Sequence, residues 1–210
     1  MTFIAMISME DCVILAADRE VFLIGSDGSS NSAGAIARKI TRTDYGFITA
    51  SGWADLIEPV KKRFALENPA DTEQMISIIN EEQKAFCLRA PNLSSEWIQK
   101  STWKLSIQKD GRIVAAFYDS RVDGLSGLGH GLSMFTYPSD VTEDERSAVE
   151  EAFRAGSFLQ ATEDEVNRAV DRVLDAVSFL RRQGRPISRE IDFAVHGKYG
   201  LVEFSEMADL

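Results

Sequence analysis

Apolar residues near the start of the chain fall into short runs, and these runs predict β-strands. Residues 2–8 read TFIAMIS and residues 12–17 read CVILAA, with a turn-sized MED between them. Odd and even positions of the first run are both apolar, so neither face of the strand is suited to water. A strand of this kind is buried on both sides. The pattern therefore predicts a sheet that is covered by another layer.

The next third of the chain predicts a further short strand at 21–24, a hairpin formed by 38–43 and 46–50, and two helices. Between the strand and the hairpin, residues 25–35 read GSDGSSNSAGA, which is typical of a flexible loop. This loop lacks the Gly-Lys-Ser/Thr ending of a phosphate-binding loop. The two helices are predicted from apolar positions at helical spacing. Their expected inward faces are Leu56, Val60 and Phe64 in the first, and Met75, Ile78, Ile79 and Phe86 in the second.

The second half repeats the order of strands followed by helices. Residues 102–108 and 112–118 flank Lys-Asp-Gly, a hairpin signal, whereas the glycine-rich stretch 120–140 matches no element. Two helices then begin with the same string, Thr-Glu-Asp-Glu, at Thr142 and Thr162. A threonine cap with glutamate three residues later is a capping box. Residues 191–195 and 201–204 predict two closing strands.

This order of elements differs from the strict alternation of strand and helix that builds a parallel sheet. Two antiparallel sheets stacked face to face, with a helix pair outside each, would bury both faces of every strand. We therefore expect an α+β fold, a four-layer α/β/β/α sandwich, formed by one domain over residues 1–210.

Composition narrows the class of protein. The chain has 210 residues, of which 44% are hydrophobic, and a formal net charge of −10. No run approaches the roughly 18 apolar residues of a membrane helix, and the first residues do not resemble a signal peptide. A cytoplasmic location is expected, with no membrane partner. The acidic excess also opposes binding to nucleic acid, which needs clustered Lys and Arg.

Cysteine and histidine are too sparse to suggest a metal site. Cys12 and Cys87 share no motif and are expected to be reduced, buried thiols. His130 and His196 are the two histidines of the chain. No metal and no cofactor are therefore expected.

Several short motifs in the first quarter of the chain resemble one family. They are Thr2 directly after the initiator methionine, Ala17-Asp18-Arg19, Lys39-Ile40, and Ser51-Gly52 ahead of Ala54-Asp55. In this order and spacing the chain resembles the proteasome β subunit and its bacterial relative HslV, the N-terminal threonine proteases. An offshoot of the HslV line, such as the betaproteobacterial proteasome homologue, fits the length and the insertion at 25–34. The resemblance implies the N-terminal nucleophile hydrolase fold.

The resemblance also implies a catalytic set of Thr2, Asp18 and Lys39. Removal of Met1 would leave Thr2 with a hydroxyl nucleophile and a free α-amine as its base, whose reference pKa is about 7.7–8.0. Lys39 would favour the ionised hydroxyl, and Asp18 would hold Lys39 in place. Backbone N–H groups at Ser51 and Gly52 would stabilise the oxyanion, each worth roughly 3–4 kcal/mol.

By the same resemblance, the substrate is unfolded polypeptide or peptide, hydrolysed inside a chamber formed by stacked homo-oligomeric rings. Thr49 and Trp53 flank the turn where the family shapes its specificity pocket. Whether an ATP-dependent unfoldase is a partner stays open.

The second half departs from the family pattern. The supporting serine is expected at Ser139 or in Gly129-His130-Gly131, His130 being a conceivable base. A further serine is expected at Ser188, but Gln183 or Gly184 stands where the family has an aspartate. Two alternatives therefore remain: a catalytically inactive ring subunit, and a hydrolase of small amides within the same superfamily.

Overall fold

The computed structural model describes residues 2–24, 30–120, 124–154 and 158–209. Its strands in chain order are β1 Ile4–Met9, β2 Cys12–Asp18, β3 Glu20–Ile24, β4 Ser30–Ile36, β5 Ile40–Thr43, β6 Gly46–Ser51, β7 Thr102–Lys109, β8 Arg112–Asp119, β9 Leu125–Leu128, β10 Ser133–Thr136, β11 Glu190–Gly197 and β12 Gly200–Met207. The helices are α1 Ala54–Glu67, α2 Thr72–Arg89, α3 Pro91–Lys100, α4 Glu143–Arg154 and α5 Glu163–Arg182.

Two antiparallel five-stranded sheets dominate the structure. The first sheet has the strand order β10-β1-β2-β11-β12, and its register places Ile4 opposite both Ala17 and Thr136. The second sheet has the order β5-β6-β7-β8-β9. Strands β3 and β4 form a separate hairpin that joins β2 of the first sheet to β5 of the second.

Three apolar clusters hold these layers together. One contains Phe3, just before β1, and Ile14 and Phe193 of the first sheet, together with residues of α4 and α5. Another joins the second sheet to α1 and α2, and the third lies between the sheets around Met6 and Leu15. Helix, sheet, sheet and helix thus follow one another, and each interface buries apolar side chains. The predicted four-layer α/β/β/α sandwich is confirmed.

Both predicted capping boxes cap their helices, but only the first is reciprocal among the described contacts. The Glu145 backbone N–H donates to Thr142 Oγ1 at 3.3 Å, and the Thr142 backbone N–H donates to Glu145 Oε2 at 2.7 Å. The Glu165 N–H also donates to Thr162 Oγ1 at 3.3 Å. The Glu165 carboxylate, however, accepts from the Gln160 backbone rather than from Thr162. Each threonine nevertheless satisfies one free N–H at the start of its helix.

Some sequence predictions are wrong in this part of the structure. Residues 30–35, expected in a flexible loop, belong to β4 because this segment pairs with β3; residues 25–29 lie outside the described residues. A third helix, α3, lies between α2 and β7 and was not predicted, and the unassigned stretch 120–140 contributes β9 and β10. Cys87 is exposed rather than buried, whereas Cys12 is buried as expected.

No helix among the described residues is long and apolar enough to cross a membrane.

Candidate active site

The carboxylate of Asp18 is the centre of a buried polar cluster at the end of β2. Asp18 is 1% exposed. Its Oδ1 accepts from the Phe3 backbone N–H at 2.9 Å and from Lys39 Nζ at 2.8 Å. Its Oδ2 accepts from the backbone N–H groups of Glu20 at 2.9 Å and Ser188 at 3.5 Å. Four donors offset the cost of removing this charge from water.

Lys39 enters the cluster from the segment that connects the hairpin β3–β4 to β5. Its Nζ donates to Asp18 Oδ1 and, at 2.6 Å, to the backbone carbonyl of Glu20. Burial lowers the pKa of Lys39, while the Asp18 carboxylate opposes that change and the charge of Lys61 adds to it. A lysine in this setting loses its proton more readily than a lysine in water.

Thr2 lies two residues before β1, within one peptide bond of this cluster, and is half-buried. The Phe3 N–H and Lys39 Nζ contact the same Asp18 oxygen. The two nitrogens are therefore separated by no more than the sum of those two hydrogen-bond lengths. The Phe3 carbonyl also accepts from the Asp18 N–H at 3.1 Å, which extends the β1–β2 ladder up to the cluster. The structure thus brings the Thr2 end of β1, Asp18 and Lys39 together.

Ser51 and Gly52 form the turn between β6 and α1. Ser51 ends the strand and is buried, while Gly52 is exposed. Gly52 has φ +149°, and a Cβ at this position would lie 2.2 Å from Ser101 Oγ. Only glycine fits both the backbone conformation and the close approach of Ser101. The Ser101 side chain packs against one side of Gly52, and the rest of this residue is exposed at the surface.

Thr49 is placed differently from its predicted role. It is 0% exposed, and its hydroxyl has no hydrogen-bond partner in the described structure. It lies in β6 between Ile40 of β5 and Lys104 of β7. The prediction that Thr49 contacts substrate is therefore wrong, because its side chain is enclosed between the two sheets.

Comparison with solved structures shows a likeness over the full chain. It is to the Anbu (Gly-1) mutant from Hyphomicrobium sp. strain MC1, with a TM-score of 0.66 and 12% sequence identity, covering 100% of this chain and 89% of that one. Anbu has the fold of the N-terminal nucleophile hydrolases. The likeness shows the fold. At this identity it carries neither activity nor assembly from one protein to the other.

The same comparisons correct the family expected from the motifs. No family model matches the chain, and no curated protein matches it. Membership of the proteasome β-subunit and HslV family, including its betaproteobacterial branch, is therefore wrong as an assignment. What the comparison supports is the shared fold, and at 12% sequence identity it supports nothing finer.

Ser188 supports the cluster from the loop before β11. Besides its N–H contact with Asp18, its Oγ accepts from the Arg19 backbone N–H at 3.0 Å and donates to the Glu190 carbonyl at 2.5 Å. Ser188 is buried. It therefore ties the end of β2 to the start of β11, although these residues are 170 positions apart.

An arginine-centred network beside the cluster was not predicted. The Arg19 guanidinium donates to Asp192 Oδ1 at 3.0 and 2.5 Å, to Ser205 Oγ at 2.8 Å and to the Glu190 carboxylate. The hydrogen bond and charge of Asp192 raise the pKa of Arg19 against the effect of burial. The available signal was the single aspartate in the apolar string Ile191-Asp192-Phe193, since a buried acidic residue needs a partner.

The other predicted candidates lie elsewhere. Gly129-His130-Gly131 sits at the opposite end of β1, where His130 Nδ1 is 3.0 Å from the Met9 carbonyl and the Gly131 N–H bonds Ser8. His130 is therefore not a base for Thr2. Gln183 and Gly184 close the C-terminus of α5. Ser139 is exposed, three residues beyond the end of β10.

Trp53 packs against Trp97 with 4.8 Å between ring centroids, and its Nε1 donates to Asp55 Oδ2 at 3.3 Å. Its ring thus contacts the helical layer next to the Gly52 turn. Within the described ranges, no group of three or more His, Cys, Asp or Glu side chains is arranged to hold a metal ion.

Proposed function

We propose that this chain is a proteasome-like N-terminal nucleophile hydrolase that cleaves peptide bonds with Thr2, exposed by removal of Met1. The observation that carries the proposal is the shared oxygen of Asp18. One carboxylate oxygen accepts both from the amide that follows Thr2 and from the ammonium of Lys39. A segment that led into β1 for structural reasons alone would not need a buried lysine–carboxylate pair at the peptide that follows Thr2.

In the proposed reaction the Thr2 α-amine takes the proton of the Thr2 hydroxyl as its oxygen attacks the substrate carbonyl. The amine has a reference pKa of about 7.7–8.0, so that a useful fraction is neutral near pH 7. Lys39 lowers the free energy of the forming alkoxide by its charge. Asp18 keeps this ammonium in place, and the same amine returns the proton to the leaving group.

The Gly52 turn is the proposed oxyanion site. Gly52 is exposed, and it adjoins the strand β6 that lies beside β5 and the Lys39 segment. An N–H group in such a position stabilises the tetrahedral oxyanion, and its loss is typically worth about 3 kcal/mol.

We further propose that the substrates are unfolded polypeptides and that identical subunits stack in rings around the sites. A nucleophile that relies on its own α-amine carries little selectivity, so seclusion in a chamber would protect folded proteins. The ring size and an ATP-dependent unfoldase partner form no part of the proposal.

The test is covalent labelling of the full chain with a peptide epoxyketone, which reacts with a hydroxyl and an adjacent free amine together. Intact mass should show a chain without Met1, and digestion should map one adduct to Thr2. Thr2→Ser should retain labelling and Thr2→Val should lose it, while both keep the wild-type unfolding curve. Lys39→Met should lower labelling at least a hundredfold.

Three outcomes contradict the proposal. A chain that retains Met1 and takes no adduct supports the inactive ring subunit. Adducts at residues other than Thr2 refute the assigned nucleophile. Turnover of small acyl-amines without turnover of any peptide in a matched series supports the small-amide hydrolase.

A further inference from the structure

Lys104 is a buried lysine that the proposed reaction does not use. It lies in β7, is 2% exposed, and its Nζ reaches across the gap between the sheets to donate to Thr136 Oγ1 of β10. Among the described residues it has no carboxylate partner. A buried ammonium without a counter-charge is costly to keep, so its presence calls for a reason.

The position of Lys104 relates it to the candidate active site through both sheets. In the second sheet, Thr49 lies between its cross-strand partners Lys104 and Ile40. Ile40 directly follows Lys39 in the chain. In the first sheet, Thr136 is opposite Ile4. The pair Ile4 and Ala17 immediately precedes the contact of Phe3 with Asp18. The Lys104–Thr136 contact therefore lies one residue pair beneath the cluster.

Strand β10 depends on such a contact more than its neighbours do. It has four residues and forms the edge of the first sheet, where β1 is its one partner among the described strands. Its residues are half-buried, whereas every residue of β1 is buried. A short edge strand is free to fray unless something outside the ladder holds it. Thr136 is its last residue and the one closest to Thr2.

We propose that Lys104 is a positioning residue for the nucleophile: by donating to Thr136 from the opposite sheet, it holds the end of β10 and, through the Ile4–Thr136 pair, the Thr2 end of β1 in register with Lys39. This inference rests on the proposed function, since it assigns Lys104 to the same site. The hydroxyl of Thr49, opposite Lys104 and without a described partner, lies within the reach of cross-strand neighbours and belongs to the same buried polar group.

A second polar bridge between the sheets provides a matched control. His196 of β11 contacts Ser106 Oγ of β7 at 3.2 Å. Both residues are buried. His196 is four positions along β11 from Asp192, which places this bridge about 13 Å further from the cluster. Loss of this bridge should affect stability without affecting Thr2.

The variants are Lys104→Met, Thr136→Val, Thr136→Ser and Ser106→Ala, compared in the full chain by two measurements. One is the rate and saturation of epoxyketone labelling at Thr2. The other is hydrogen exchange of the amides of residues 133–136 and 3–7. Lys104→Met should lower the maximal labelling rate about tenfold with little change in the half-saturating concentration, because a misplaced nucleophile affects reaction more than binding.

Lys104→Met should also speed exchange of these amides several-fold while the global free energy of unfolding rises, because the variant removes a buried charge. If Lys104 had a purely structural role, faster exchange of these amides would be accompanied by a lower free energy of unfolding. Thr136→Val should reproduce the effect of Lys104→Met on labelling and exchange. Thr136→Ser keeps the hydroxyl and should behave like the wild type. The double variant Lys104→Met/Thr136→Val should label no more slowly, and exchange no faster, than either single variant. Ser106→Ala should lower stability and leave labelling unchanged.

Unchanged labelling and exchange in Lys104→Met would overturn the inference, as would additive effects in the double variant. Equal loss of labelling in Ser106→Ala would overturn it too, by showing that any break between the sheets has the same result. If the wild-type chain takes no label at all, the proposed function fails. The exchange measurement then decides by itself whether Lys104 holds β10.

Discussion

Asp18 Oδ1 lies 2.8 Å from Lys39 Nζ and 2.9 Å from the Phe3 amide nitrogen, so that one buried oxygen connects two segments that are far apart in the chain. A carboxylate that accepts from both fixes the ammonium relative to the first residues of β1. Positioning and charge are thus supplied by the same group, and the two can be separated experimentally.

Asp18→Asn should destabilise the protein by about 3 kcal/mol and lower Thr2 labelling at least a hundredfold. The substitution leaves the Lys39 ammonium buried without its counter-charge. Urea unfolding and labelling measure the two effects.

Glu58→Gln is the matched control, because Glu58 pairs with the buried Lys61 at 2.9 Å but has a side chain that is 65% exposed. Glu58→Gln should lower the free energy of unfolding by less than about 1 kcal/mol, because ion pairs with an exposed partner contribute little to stability, and it should leave labelling intact. Equal losses in both variants would contradict a special role for Asp18.

Gly52→Ala should lower both stability and turnover. The added Cβ meets Ser101 Oγ at 2.2 Å and the backbone is held at φ +149°, which together should cost about 1–3 kcal/mol. Because the backbone of the turn must shift, the maximal labelling rate should fall more than tenfold.

Gly127→Ala in β9 should be nearly neutral, because a Cβ there meets nothing within 4 Å. If Gly52→Ala labelled at the wild-type rate, the turn would have no part in stabilising an oxyanion.

Ser188→Ala should reduce labelling about tenfold by loosening the link between the end of β2 and the start of β11. The hydroxyl accepts from the Arg19 N–H, and its loss leaves that half-buried donor unsatisfied at a cost of about 1–2 kcal/mol.

Ser8→Ala removes a similarly buried hydroxyl, which donates to the Leu128 carbonyl at 3.2 Å, at the other end of β1. It should cost comparable stability and leave labelling unchanged. Ser188→Ala with normal labelling would show that Asp18 needs no support from this loop.

The stability of the protein should rise with pH above 7 because of Lys104. Burial lowers the pKa of Lys104 to about 7, against 10.5 for the ordinary side chain. Between these two values the unfolded chain binds the proton and the folded chain does not, so the free energy of unfolding increases with pH. Below about pH 7 Lys104 is protonated in both the folded and the unfolded chain, so its contribution to the free energy of unfolding no longer changes with pH.

Comparison with Lys104→Met isolates this contribution. Between pH 7 and 9 the wild-type free energy of unfolding should rise by about 2 kcal/mol more than that of the variant. At pH 7 and below, the variant should be the more stable of the two. Parallel pH profiles in urea unfolding would show that Lys104 keeps its proton in the folded protein.

Local patterns predicted most of the strands and helices. Apolar runs at strand spacing and stripes at helical spacing depend on near neighbours, so Met75, Ile78, Ile79 and Phe86 are buried as the periodicity of α2 predicts. Where the local signal is weak the prediction failed. Helix α3 has only ten residues and its apolar Trp97 and Ile98 are only partly buried, and β4 reads SNSAGAI, which becomes a strand because β3 offers a partner.

By itself, the sequence determined the two-sided burial of β1, the capping boxes and the order of elements, which together specify two covered antiparallel sheets. The tertiary structure alone decided which residues meet. Lys104 and Ser106 alternate with Trp103 and Leu105 as the polar face of an exposed strand would, yet they lie between the sheets. Arg19 and Asp192 are 173 positions apart. The reason is physical: periodicity records how a residue relates to its own element, whereas partners across layers depend on how the sheets stack.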